Sequence, residues 1–423
     1  MSNLELHQLF SQADNARQNH NYNEAIELYT AVLNQTDANA EDSEIRALRL
    51  AALREIGLLQ RRSGQHNEAL ATYEQYHREA KDSRQQIIAI TQLGQQFSSM
   101  GQYDQALQKH KEALQLSETL NYVNGRAQAY LGMGSTYFFL GNYDEALSQL
   151  NKALSLFRQI DDHENISRTW NWLGILHLQL GQVDKSIAAY DAALPFARKM
   201  GELETSIVLN NIGEVYQSIF DMEQALVYHR EGFELADHLA MPNQTIDVRR
   251  NLGVDLCYLG QLEEGIQYLE EALQTSQKYE NKDMTMQTLY SLAYAQIENN
   301  QLEVAKNYAD QLEQMAKVDD LRGYHARALY ILGLYHCANG EPKEAEKIWQ
   351  QVLFWAHETG QKNLLWRVHS VLANIAESEG LTEAHNRIAS EIIDQIVYPI
   401  EDDALRQKFL NAPQVRAILS QVK

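Results

Sequence analysis

Fourteen histidines and two cysteines are the side chains of this sequence best able to ligate a metal or act as nucleophiles, and their spacing predicts neither role. Cys257 and Cys337 belong to no CxxC pair and no Cys/His cluster. The histidines are scattered, and His110, His177, His229 and His336 fall at helical spacings that predict packed core side chains. No GxxxxGK[ST] phosphate loop, HExxH, GxSxG or strand-linked GxGxxG occurs. No catalytic residue, metal or cofactor is therefore expected. The polar residues that do share a pattern are Arg168, Asn171, Asn210, Asn211, Glu214, Asp247, Arg250, Asn251, Tyr290 and Arg327. Their chemistry is recognition. Asparagine amides both donate and accept and can hold an extended peptide backbone, and arginine forks onto carboxylates. Tyrosine supplies rigid contact area.

The elements that position these residues come from a repeat. A small residue recurs at Ala13, Gly57, Gly94, Gly134, Gly174, Gly213, Gly253, Ala293, Gly333 and Ala373, mostly at 40-residue intervals. Seven residues later stands a second glycine in seven units: Gly64, Gly101, Gly141, Gly181, Gly260, Gly340 and Gly380. Twelve residues after the first comes a third small position, from Ala25 to Ala345, with Ala384 one residue early in the tenth unit. Three small positions held in phase predict helical hairpins. The first lies on helix A and admits helix B, the second ends helix A in the left-handed conformation, and the third lies on helix B. Aspartates such as Asp104, Asp144 and Asp184 stand where they could cap helix B. Cys257 and Cys337, two units apart, should lie roughly 20 Å apart at ordinary helix-packing distances, which excludes a disulfide. Trp170, Trp172, Trp349, Trp355 and Trp366 recur at helical spacing and read as core.

Units such as Leu173-Gly174…Gly181…Ser186…Tyr190…Ala193 resemble the tetratricopeptide repeat (TPR), over about residues 6 to 395. The unit departs from the usual 34 residues, and the extra six are expected in helix B, the loop after it and the start of the next helix A. Long units of this kind resemble those of kinesin light chain, of spindle-orienting adaptors with Asn-Leu-Gly repeats, of bacterial peptide-pheromone receptors and of maltose-activator-type signalling ATPases. Asn211-Ile212-Gly213 and Asn251-Leu252-Gly253 carry the Asn-Leu-Gly likeness. The resemblance implies an all-α, right-handed superhelix of about ten hairpins over residues 1–397, followed by capping helices over 398–423. The tail from Ile400 to Arg416 also resembles the endings of bacterial signalling ATPases and nucleotide cyclases, pointing to a bacterial source. Residues 34–45 are acidic and polar and predict a loose surface loop between the first two units.

Composition fits this reading. The chain has 423 residues, 44% of them hydrophobic, with a formal charge of −21. Such a field repels phosphate backbones and anionic lipid, so neither nucleic acid nor a membrane is an expected partner. The start Met1-Ser2-Asn3-Leu4 lacks the basic and apolar regions of a signal peptide, and no apolar run spans a bilayer, so a cytoplasmic location is expected.

If helix A of every unit faces a concave groove, that groove collects Arg54, Arg61 and Arg62, then the recognition set above, then Gln287, Tyr294, Tyr330 and Arg367. The cluster Arg168, Asn171, Asn210, Asn211, Arg250 and Asn251 marks its expected centre. The set does not reproduce the lysine-based carboxylate clamp of chaperone-binding TPR domains, and only Asn374 matches an asparagine of that motif. The expected function is a scaffold or adaptor binding another protein or an extended peptide. Two alternatives are a regulatory receptor whose pitch changes on binding a peptide or effector, and the arm of a larger signalling ATPase.

Overall fold

A computed structural model describes residues 3–19, 21–38, 42–238 and 242–422. Among them the chain forms 22 helices and no strand. They are α1 (Asn3–Gln18), α2 (Tyr22–Asn34), α3 (Ser43–Arg62), α4 (His66–Glu79), α5 (Ser83–Ser99), α6 (Tyr103–Thr119), α7 (Val123–Phe139), α8 (Tyr143–Gln159), α9 (His163–Gln179), α10 (Val183–Met200) and α11 (Glu202–Ser218). There follow α12 (Met222–His238), α13 (Pro242–Tyr258), α14 (Leu262–Lys278), α15 (Lys282–Glu298), α16 (Leu302–Val318), α17 (Arg322–Ala338), α18 (Pro342–Glu358), α19 (Lys362–Ile375), α20 (Glu379–Val397), α21 (Asp403–Leu410) and α22 (Pro413–Leu419). The chain divides into two compact units, Met1–Leu176 and His177–Lys423.

Inside each unit consecutive helices pack as antiparallel hairpins, and first helices also touch the first helix of the next hairpin, as in α5 with α7 and α13 with α15. This is the tetratricopeptide arrangement. Most helices have 17 residues, first and second alike, so the extra length of the unit is shared by both helices. Links of three residues then give a half-period of 20. The glycines at the first link are left-handed as expected, for example Gly101 at φ 72° and Gly141 at φ 76°. The second link takes the same conformation, without glycine at Asn121, Asp161, Glu280 and Asp320 and with it at Gly360. Most links close their helix with paired backbone bonds, such as Gln102 N to Phe97 O at 2.9 Å and Gly101 N to Ser98 O at 3.0 Å.

The first small position is explained by side chains sixteen residues on. A Cβ on Gly57 would stand 2.6 Å from the Tyr73 ring, and one on Gly134 would stand 2.7 Å from Leu150. In the other units His110, His229, Leu269 and Trp349 fill the same place. Ala69, Ala106, Ala146, Ala305 and Ala345, at the third small position, are fully buried.

Three expectations need correcting. Gly380 does not end a helix; α19 stops at Ile375, Ser378 caps α20, and Gly380 lies in its first turn. Asp104, Asp144 and Asp184 make no capping hydrogen bond; Gln102, Asn142 and Gln182 occupy the cap positions, and the aspartates act on the helix dipole from the first turn. The segment 34–45 is tied at its start, because Arg49 donates to the carbonyls of Leu33 and Thr36, both at 2.8 Å, while pairing with Glu79 at 2.7 Å. Asp42 caps α3 at the other end. Residues 39–41 of that segment lie outside the described residues.

Candidate functional site

The recognition residues fall in both units. Arg168 and Asn171 lie on α9 in the first, where Arg168 is exposed and pairs with Glu164 at 2.6 Å. That unit also carries Arg54, Arg61 and Arg62; Arg54 pairs with Glu55, and Arg61 donates to Gln95 and stands over the Tyr73 ring. The other eight lie in the second unit.

There α11 and α13 present Asn210, Glu214, Asp247, Arg250 and Asn251 to one another as a continuous network. Asn210 and Asn251 are buried, and Asn251 Nδ2 donates to Asn210 Oδ1 at 2.9 Å and to Glu214 Oε1 at 3.1 Å. Asn210 Nδ2 donates to Asp247 at 3.0 Å, and Arg250 bonds Asp247 at 2.9 Å. Beneath them, buried His229 meets Asp255 at 2.6 Å, and Gln217 donates to Asp255 at 2.7 Å. Burial pushes the Glu214 carboxyl above its ordinary range, with Asp247 adding to the effect. Burial also raises Asp255, against the opposing bond from His229. For Arg250 burial works against the charge, but Asp247 and Glu214 outweigh it. The asparagine amides of this network are therefore engaged between neighbouring hairpins. Asn211 stands beside it on α11, half-buried.

The open space lies next to this network. A cavity of about 1270 Å³ in the second unit is lined by successive first helices: Arg250 and Tyr258 from α13, Gln287, Tyr290 and Tyr294 from α15, Arg327 and Tyr330 from α17, Trp366 and Arg367 from α19. Its lining carries four cations, Arg250, Arg327, Lys362 and Arg367, against one carboxylate, Glu298. That inverts the sign of the chain as a whole. Arg327 donates to Gln361 Oε1 at 3.0 Å and stands over the rings of Tyr290 and Tyr324. Cys257 also lines the cavity, and burial pushes its thiol up to about 11, so it is a protonated, unreactive thiol at neutral pH.

Two features of this cavity escaped the sequence. Phe220 occupies a link position held by glycine in sister units, and it is left-handed at φ 62°. Its ring lines the cavity and meets Tyr258 at 6.0 Å, Trp366 at 6.5 Å and Phe409 at 5.3 Å. The missing glycine was the available signal. The second feature is the C-terminal segment. α21 and α22 contact α20, and the same stretch reaches back to the start of the unit. Lys185 pairs with Glu401 at 2.8 Å, Lys408 with Asp221 at 3.0 Å, and Gln414 donates to the Tyr258 hydroxyl. Phe409 is fully buried, while Pro413 and Gln414 join the cavity wall.

Among the described residues no group of three or more His, Cys, Asp or Glu side chains could hold a metal ion. None of the helices is long and apolar enough to cross a membrane.

Residues 12–289 match the family model described as the Cilia and flagella-associated protein 70 C-terminal domain, and residues 290–353 match a tetratricopeptide-repeat model. No curated protein matches the chain in sequence. Among solved structures it is similar to a Rap protein complexed with competence and sporulation factor, at 14% identity and TM-score 0.63, covering 83% of this chain and 99% of that one. It is similar to the Rap conjugation gene regulator of plasmid pLS20 in complex with the Phr* peptide, at 20% identity and TM-score 0.52, with 86% and 96% covered. A signal transduction ATPase with a tetratricopeptide repeat sensor from Pyrococcus horikoshii matches at 15% identity and TM-score 0.57, covering 82% of this chain and 54% of that one. At these identities the likeness is one of fold.

Proposed function

Since the chain belongs to the family of the Cilia and flagella-associated protein 70 C-terminal domain, we propose that it is a binding scaffold that holds an extended segment of a partner protein in the cavity of its second unit. One observation carries this reading: the cavity joins the first helices of four successive hairpins and is cationic in an acidic chain. Its volume exceeds the roughly 300–1,000 Å³ usual for small-molecule pockets, which suits a stretch of peptide. Tyr290 and Arg327 line it directly, and Asn210, Glu214, Asp247 and Asn251 hold Arg250 at its wall. Two of the structures of similar fold are complexes with a competence and sporulation factor and with a peptide, which supports the same reading here. Arg168, Asn171 and Asn211 are secondary candidates, outside this cavity. The test is binding of a fluorescein-labelled random heptapeptide pool to the full chain, followed by anisotropy. Saturable binding that Ser291→Trp abolishes, by filling the cavity, supports the proposal. Binding that survives Ser291→Trp but is lost in Arg168→Ala moves the site to the first unit.

A regulatory receptor is the second reading, and the C-terminal segment favours it. That segment forms part of the cavity wall through polar contacts and through Phe409 packed on the cavity-lining Phe220, so an occupant that displaces Phe220 would shift it. Faster amide exchange across Asp403–Leu419 on peptide binding would support a switch, and unchanged exchange with bound peptide would leave a rigid scaffold.

A further inference from the structure

Arg367 differs from the other arginines of the cavity. Arg250 is paired with Asp247 and Arg327 with Gln361. Among the described residues Arg367 has no hydrogen-bond partner and no carboxylate within 4.0 Å. It contacts aromatic rings instead: Trp366 at 5.4 Å, and Phe220 and Tyr294 at 5.9 Å. Ring faces favour a cation but accept none of its five N–H bonds. The guanidinium is half-buried and lines the cavity, so its fork is directed at whatever the cavity holds.

We propose that Arg367 anchors a carboxylate of the bound peptide, with Tyr294 and its neighbours as flanking donors. This rests on the reading of the cavity as a peptide groove. The planar fork matches a planar carboxylate with two parallel bonds. The tyrosines fit the role. Burial pushes Tyr294 up to about 12 and raises Tyr258 and Tyr330, so all three keep their hydroxyl protons at neutral pH. Phe220 holds one wall of the cage from the left-handed link that closes α11.

The carboxylate could be the peptide's C-terminus or an acidic side chain, and the experiment separates them. Fluorescein-labelled random heptapeptides made without Asp or Glu are prepared with a free carboxyl end, with an amidated end, and amidated with one fixed central Glu. A fourth amidated pool carries phosphoserine at that position. Anisotropy is measured with the full chain. The expected result is that the free-carboxyl or the Glu pool binds at least about tenfold tighter than the plain amidated pool, the scale of a charge-assisted bond. Arg367→Met should erase this advantage while keeping the wild-type helical content, and Arg367→Lys should keep part of it. If all pools bind alike in both proteins, the anchor is overturned and the groove reading survives. If the phosphoserine pool binds tightest, the carboxylate assignment is wrong. If no pool binds, the groove reading falls and this proposal with it.

Discussion

Asn251 donates its side-chain amide to Asn210 Oδ1 at 2.9 Å across 41 residues, joining the same face of two successive hairpins. In a stack where each hairpin touches mainly its neighbours, such a bond sets spacing as well as stability. Replacing Asn210 by Leu removes the acceptor for Asn251 and the donor for Asp247. Each buried group left unpaired costs about 1–3 kcal/mol, so Asn210→Leu should lower the urea midpoint clearly. A double-mutant cycle with Asn251→Leu should return a coupling of about 0.5–3 kcal/mol. Additive effects would mean that the two amides do not act together.

His110 predicts a pH dependence. It is fully buried, both ring nitrogens lack partners, and burial pushes its pKa down to about 4 from the ordinary 6.5. The folded state therefore holds the neutral ring while the unfolded chain protonates it. Its contribution is intact above about pH 6.5 and is lost as pH falls toward 4, because unfolding then takes up a proton. His369, also depressed to about 4 by burial and by His385 and His357, adds a second loss in the same window. His110→Leu, which copies Leu150 of the next hairpin, should flatten the fall of the thermal midpoint between pH 6.5 and 4 and leave the His369 part. An unchanged slope would show that His110 is not neutral in the fold.

The glycines on helix A make a steric prediction. Exchanging an ordinary helical glycine for alanine gains about 1 kcal/mol, but at Gly57 the new methyl would stand 2.6 Å from the Tyr73 ring. Overpacking of this kind costs about 1–3 kcal/mol, so Gly57→Ala should destabilise, and Tyr73→Leu in the same chain should recover much of the loss. Recovery absent from the double variant would place the strain elsewhere.

Much of the fold could be read from residues whose reason is local. Gly101 and Gly141 mark chain reversals because left-handed backbone is cheap only for glycine, and Ala69 or Ala106 marks a close helix approach because nothing larger fits. The second link was hidden because Asn121, Asp161 and Glu280 adopt that conformation without a glycine to announce it. The repeat puts Tyr290, Arg327 and Arg367 at matching positions of successive first helices, and all three line the cavity. It could not show that Asn210 and Asn251 would turn toward each other, since that depends on the offset between hairpins. Nor could it show Phe409 beside Phe220, a contact across 189 residues that no period encodes.

Phe220 separates strain from packing. Its φ of 62° costs an L-residue about 1–2 kcal/mol relative to glycine, while its ring packs against Phe409, Trp366 and Tyr258. Phe220→Ala loses the ring and keeps the strained backbone; Phe220→Gly loses both. The glycine variant should therefore unfold at a higher urea concentration than the alanine variant, by about 1 kcal/mol after correction for the greater freedom of its unfolded chain. Both should lie below the native chain, and in both the amides of Phe409 and Leu410 should exchange faster as the C-terminal helices lose their contact. Equal midpoints for the two variants would dismiss the backbone strain. A glycine variant more stable than the native chain would mean that the ring is costly to the fold, and its place beside Arg367 would then have to be explained by the ligand.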